Sequence, residues 1–389
     1  MKKWILPLWV VVAAMGATAG FWVGLHKAPQ QDTAAEGSHP AVQDAAETDS
    51  FSLKLFQMEL ADSRKTNATV APYAMAELLH TLAPILGGVS QEEWKRIGLP
   101  DIGEPPFRAP ALTVLRALDK RVAILPGAPS CLPLPMAEDL PQALSLFNRT
   151  LAEDLGYPNA IVASTTMVPA HTKLLLGATT HLRADWTIPF NAGHTQTADF
   201  YNANGAMPHH QQMHNRGQFQ TAEAADGSWK AAKLPLNNGA DKNSATLSLT
   251  VIMPQTNARE LATSLTPEFL NLVRKELANS RPKDCEIKMP RISFTPPSAD
   301  VRQLFRQMGL KSIYDAEAAD FSPLTPDKIT MGAAVFAFAL ELTENDKTPH
   351  VPQPEGAESS IVFDHPFIWF ISEEESKLPF YFMGMVENL

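Results

Sequence analysis

The chain has 389 residues, 45% of them apolar and 19% charged, the balance of a globular protein rather than a disordered one. Acidic residues number 42 against 32 basic ones, for a net charge of −10. A phosphate-backbone binder needs a basic footprint, so nucleic acid is excluded as a partner.

Lys2 and Lys3 precede residues 4–25, a run of 22 residues with no charge. At the helical rise it spans about 30 Å, the thickness of a hydrocarbon core. Two readings stay open. Ala17-Thr18-Ala19 is a site at which a signal peptidase would cut, near Ala19. Apolar sequence continues past it through Phe21, Trp22, Val23 and Leu25, which favours an uncleaved signal anchor. Either reading makes residues 1–26 a targeting segment and places the rest outside the cytoplasm. The protein is then membrane-anchored, or secreted or periplasmic after cleavage. Residues 27–50 hold one valine and no leucine, isoleucine or aromatic residue, so a disordered linker is expected. Residues 51–389 are expected to form one domain.

That domain opens with an amphipathic helix over 51–63, carrying Phe51, Leu55, Phe56 and Leu60. Pro72 suits the first turn of the next helix, whose Met75, Leu78, Leu79 and Leu82 share one face. Residues 109–120 read as helical. Five prolines in 125–141 end any strand there. A helix over 140–155 stops at Gly156. Strands are expected at 173–182 and, half-buried, at 245–253. Thr266 and Pro267 open a helix, and 285–294 reads as a strand pair broken at Pro290. Asp300 caps a short helix ending at Gly309. Residues 329–342 are almost continuously apolar, as in a strand buried on both faces. Residues 361–371 and 380–386 read as a strand hairpin. The two cysteines, Cys131 and Cys285, stand in no CxxC pair and are expected to be free thiols.

FDHPFIWFI at 363–371 and FYFMGMVEN at 380–388 resemble the paired C-terminal strands of the serpin family. KLLLGATTHLRADWTIPFNAGHTQTADFY at 173–201 is similar to that family's central-sheet strand and the crossing after it, with Trp186 at the sheet top. EIKMPRISF at 286–294, MGLKSIYDAEAADFSPL at 308–324 and NATVAPYAM at 67–75 match further family segments in order. The resemblance covers 51–389, in a divergent, bacterial-type form. It implies an α+β fold, with helices around three β-sheets and an exposed reactive-centre loop. A serine or cysteine protease is the implied partner, and no cofactor is implied. Ala71 and Ala74 stand where the family usually has serines, Gly177 where it has asparagine and Phe336 where it has histidine. The polar cluster beneath the point where the main sheet opens is thus expected to be apolar.

In the family, a cleaved reactive loop inserts into the main sheet as a new strand and carries the protease with it. The resemblance places this loop at 343–360. Glu344 opens the hinge, followed by Asn345, Asp346, Lys347 and Thr348 where the family has small residues. Pro349, Pro352 and Pro354 fall where the inserted strand would run, and proline has no N–H for a ladder. Counting back from Pro366 puts the scissile bond in the stretch Pro352, Gln353, Pro354, Glu355, while counting forward from Glu344 puts it near Ser360. The loop is therefore about 5–8 residues short of the family length. Poor insertion, or none, is expected; retained inhibition, or the binding of an envelope ligand, is the alternative.

Enzyme motifs such as HExxH, GxSxG, a Walker loop or GxGxxG are not found, so an enzyme is not expected. His209, His210 and His214 lie on one extended run, and residues 201–222 hold no carboxylate that could complete a site, so a polar strand is expected rather than a metal centre. Asn67-Ala-Thr and Asn148-Arg-Thr match the glycosylation acceptor pattern.

Overall fold

The computed structural model describes residues 40–62, 65–102, 110–157, 160–202, 204–237, 247–294, 298–342, 344, 356–373 and 377–389. Residues 1–26, expected to be a targeting segment, lie outside the described residues. Among the described residues no helix is long and apolar enough to cross a membrane.

Helix α1 runs Pro40–Leu60, so the fold starts about ten residues before the expected boundary at 51 and takes in the second half of the expected linker. The reason is polar rather than apolar. Asp49, 6% exposed at its side chain, forms a two-pronged ion pair with Arg274, at 2.5 and 2.9 Å. Thr48 Oγ1 donates to the Lys377 carbonyl at 2.9 Å. Charge-paired contacts of this kind order a segment that has little apolar surface to bury.

A six-stranded sheet forms the centre. Its path is β11 (Ile292–Phe294), β13 (Met331–Leu342), β4 (Leu174–Arg183), β2 (Ala111–Asp119) and β3 (Leu132–Leu134), with β12 (Ala299–Asp300) also on β13. Residues 111–119, expected to be helical, are therefore a strand. Their backbone groups are taken up by antiparallel pairing with β4 from Ala111↔His181 to Leu118↔Leu174. The two middle strands, β4 and β13, are parallel neighbours. They stay paired from Met331↔Leu174 to Glu341↔Arg183, with one irregularity at Gly332.

The second sheet follows the path β1 (Ala68–Val70), β16 (Phe382–Val386), β15 (Phe367–Glu373), β9 (Leu247–Pro254), β8 (Trp229–Asn237), β7 (Gly205–Glu223), β10 (Lys283–Pro290) and β14 (Ser359–Val362). β5 (Asp185–Trp186) pairs with β8, and β6 (Gln196–Asn202) with β7. The 19-residue β7 joins two halves: its end pairs with β8, while the rest pairs with β6 and β10. Together with the central sheet, these halves make the three sheets expected. β9 is buried at every residue, not at alternate ones, because helices cover its other face. α1, α5 (Ala258–Ser264) and α6 (Pro267–Asn279) supply Phe56, Leu60, Leu270 and Val273 to a cluster with Ile252, Ile368 and Phe370.

At the first edge, β1 pairs with β16 from Ala68↔Met385 to Val70↔Met383. Asn67 completes this join: its Oδ1 accepts from the backbone N–H groups of Glu387 and Asn388 at 2.8 and 2.9 Å. Its Nδ2 donates to the Asn388 carbonyl at 2.6 Å. Gly384 lies under Trp369, where a Cβ would stand 2.5 Å from the indole ring.

Candidate functional site

The site is built around the upper end of the β4–β13 pair, where β13 leads into residues 343–360. Glu344 is the first hinge residue described. Its side chain is 5% exposed and ion-paired to Arg291, with Nη2 at 2.5 Å and Nε at 3.1 Å from Oε2. Thr195 Oγ1 donates to the other carboxylate oxygen. Arg291 lies between β10 and β11, which belong to different sheets, so this pair ties the hinge to the junction between them. Asn345, Asp346, Lys347 and Thr348 lie outside the described residues, as do Pro352, Gln353, Pro354 and Glu355.

Trp186 is 4% exposed and packs edge-on against Phe190, with ring centroids 5.0 Å apart. It follows the end of β4 and pairs with Leu236 of β8, so it sits where the chain passes from the central sheet to the second one.

Below the hinge, Ala71, Ala74 and Phe336 share one buried cluster, together with Ala178, Phe338 and Phe382. Phe338 stands between Phe336 and Phe382, at ring distances of 6.1 and 5.8 Å. Ala71 is the N-cap of α2 (Pro72–His80) and gives no side-chain hydrogen bond to it, unlike a serine cap. Gly177 is not part of this cluster. A Cβ built on it would lie 2.5 Å from Phe147 Cζ and 2.8 Å from Leu151 Cδ1, both on α4 (Leu140–Asp154) on the opposite face of the sheet. Strand side chains alternate, so a one-residue offset changes face. Ala178, the partner of Phe336 in the strand register, occupies the position expected of residue 177.

The far end of the loop is held by a polar network that sequence reasoning missed. β14 pairs in parallel with β10, Glu286 opposite Ser360. Glu286 accepts from Ser360 Oγ at 3.0 Å, pairs with His214 Nε2 at 2.7 Å and lies 3.5 Å from Lys288 Nζ. Burial raises the Glu286 pKa, but Ser360, Lys288 and His214 together outweigh it and hold the carboxyl below its usual value. Arg216 binds Asp284 through Nε at 2.8 Å and reaches the Gly356 carbonyl at 3.4 Å. His214 and Glu286 are 72 positions apart, and only the β7–β10 pairing brings them together.

His210 packs on Phe200 at 6.0 Å, and burial lowers its pKa. Among the described residues no group of three or more histidine, cysteine, aspartate or glutamate side chains converges to hold a metal ion. Cys131 and Cys285 are both free. Cys285 is on β10 in the second sheet. Both candidate glycosylation asparagines are engaged: Asn67 as above, and Asn148 with the backbone of Ala163 at 2.7 and 2.8 Å.

A fold of three sheets, with two parallel strands at the centre of one of them, defines the class. The chain belongs to the serpin (serine protease inhibitor) family, whose sequence pattern matches residues 158–389. It is 24% identical over 241 residues to putative serpin-Z5 of Oryza sativa subsp. japonica, covering 53% of each chain. It is 25% identical over 376 residues to the factor XIIa inhibitor of Bos taurus, covering 90% of this chain and 75% of that one. The chain spans about half the length of most of the curated relatives it matches. Uncleaved ovalbumin has the same fold, with a TM-score of 0.75 at 18% identity over 89% of this chain and 99% of that one.

Proposed function

We propose that this protein is an extracytoplasmic serpin, held at a membrane by residues 4–25 or released near Ala19, that meets a serine or cysteine protease through residues 343–360 without trapping it. The carrying observation is the set of prolines at 349, 352 and 354 in the sequence that follows β13, the strand paired in parallel with β4. A loop leaving β13 and turning back runs antiparallel to both central strands. To enter between them, it must form ladders on both edges, so nearly every N–H is needed. Each proline removes one donor, at roughly 3 kcal/mol in a regular element, or about 9 kcal/mol for three. The apolar cluster of Ala71, Ala74, Ala178 and Phe336 supports the same reading, since it offers no polar groups to re-pair as the strands part.

The relatives named as inhibitors favour the second reading, a trapping inhibitor that uses the same loop. Limited proteolysis within 345–358, followed by a melting scan, separates the two. The first reading expects Tm to stay within about 2 °C of the uncut protein. A large rise in Tm, or a protease complex that survives denaturation, would establish the second.

A further inference from the structure

At the opposite end of the central sheet, where β4 and β13 begin, is a cleft of about 290 Å³, near the lower bound of small-ligand pockets at ~300 Å³. His171, Thr172, Arg302, Arg306, Tyr314 and Gly332 contribute to its walls. A second cleft, of about 460 Å³, shares Arg306 and adds Lys311. Neither is lined by an aspartate or a glutamate, in a chain whose net charge is −10.

The two arginines play different parts. Arg302 is a strut. It binds both carboxylate oxygens of Asp300 and donates to the Gly332 carbonyl at 3.1 Å and the Met167 carbonyl at 3.0 Å. Those bonds fix the cleft wall and neutralise the Arg302 charge. Arg306, on α7 (Arg302–Gln307), is exposed, and its guanidinium lies 4.7 Å from the centre of the Tyr314 ring. Among the described residues it pairs with no carboxylate. The Tyr314 hydroxyl is buried and finds no hydrogen-bond partner among them either. Thr172 packs over Gly332, where a Cβ would come within 2.2 Å of its hydroxyl, so the glycine keeps the strand start close to the cleft wall.

We infer that this cleft binds a phosphate-type oxyanion, with Arg306 as the charged anchor, Arg302 as the positioning residue and the Tyr314 hydroxyl completing the donor set, the Thr172 hydroxyl being spent on the Pro169 carbonyl at 2.8 Å. A fixed guanidinium fork suits such an anion. A phosphate brings about two charges and three strong acceptor oxygens, more than an acetate offers, to the donors on α7 and at residue 314.

The test is calorimetric titration of the full chain with inorganic phosphate, with acetate at matched ionic strength as control. One phosphate per chain is expected, with binding about tenfold weaker in Arg306→Gln, as for loss of a charged hydrogen bond. Tyr314→Phe should weaken it less. Arg306 is exposed, so Arg306→Gln should melt like the wild type without anion, which a scan checks. Vesicles of phosphatidylcholine, with and without phosphatidic acid, identify the source. Capture by phosphatidic acid that free phosphate competes away and Arg306→Gln abolishes means a lipid headgroup; phosphate binding without capture means a soluble phosphate. No phosphate binding, equal binding by Arg306→Gln, an equal response to acetate, or capture that phosphate does not compete with would each overturn the assignment.

Discussion

Alanine at Gly177 would place a methyl group 2.5 Å from Phe147 Cζ and 2.8 Å from Phe147 Cε1 and Leu151 Cδ1. Phe147 and Leu151 are both fully buried, so neither can swing into solvent. The strain must be absorbed by off-rotamer side chains or a shift of α4, which costs about 1–3 kcal/mol. In a folded unit of this size 1 kcal/mol moves Tm by roughly 1–2 °C, so Gly177→Ala should lower it by about 1–6 °C. Phe147→Leu alone should cost on the order of 1 kcal/mol through the void it leaves. Combined with Gly177→Ala it should cost little or nothing, because the void receives the methyl. The pair should therefore couple by about 1 kcal/mol or more, measured by urea unfolding of the four proteins in a double-mutant cycle. Gly177→Ala paired instead with a change at Ala74, on the opposite face, should add to within about 0.5 kcal/mol. An unaltered Gly177→Ala protein, or strict additivity with Phe147→Leu, would refute the placement of residue 177 against α4.

Other expectations follow from single contacts. Arg291→Gln should destabilise by about 1–2 kcal/mol in urea unfolding, because it strips the 5% exposed Glu344 carboxylate of its cation; the value is held below that of a buried pair by the half-exposure of Arg291. The Glu286 pKa is lower folded than unfolded, so its contribution is full above the usual carboxylate value near 4.5 and is lost as pH falls through the folded value. The stability difference between wild type and Glu286→Gln should accordingly shrink as pH falls below the usual carboxylate value near 4.5, and a constant difference would count against the Glu286 network. Burial raises the pKa of both thiols, and Cys131 is partly exposed while Cys285 is buried. A thiol reagent should therefore label Cys131 slowly in the native protein and both cysteines after unfolding without reductant, as read by intact mass.

Residues whose fate depends on near neighbours were legible in the sequence. The apolar run of β13, the α4 stop at Gly156 with φ 78°, and the Thr266 cap followed by Pro267 all need only local chemistry. Residues 111–119 were not, because Leu112, Leu115 and Leu118 fit a helical face as well as a strand. Only pairing with β4 decides between them. The start of α1 was hidden for a similar reason: Asp49 is ordered by Arg274, 225 positions away. At the candidate site, Glu344, Trp186 and the Ala71, Ala74 and Phe336 cluster could be picked out by their resemblance to a family pattern. Gly177 could not be told from Ala178, since both are small and a single offset reverses the face. The Glu286 network was invisible, because its members come from β7, β10 and β14.

The clasp between Asn67 and residues 387–388 sets a condition on biosynthesis. A nascent chain leaves the ribosome, or threads through a translocation pore, amino end first. β1 is then made more than 300 residues before the strand that pairs with it. Through that interval Phe56 and Leu60 of α1 lack Phe370, Phe380 and Met383, the late-made side chains of their cluster. Contacts this distant in sequence form slowly and leave apolar surface open to aggregation. The early segment therefore stays open until the final strand emerges and the whole unit closes, so faster synthesis of the carboxyl-terminal part shortens the interval in which it can aggregate.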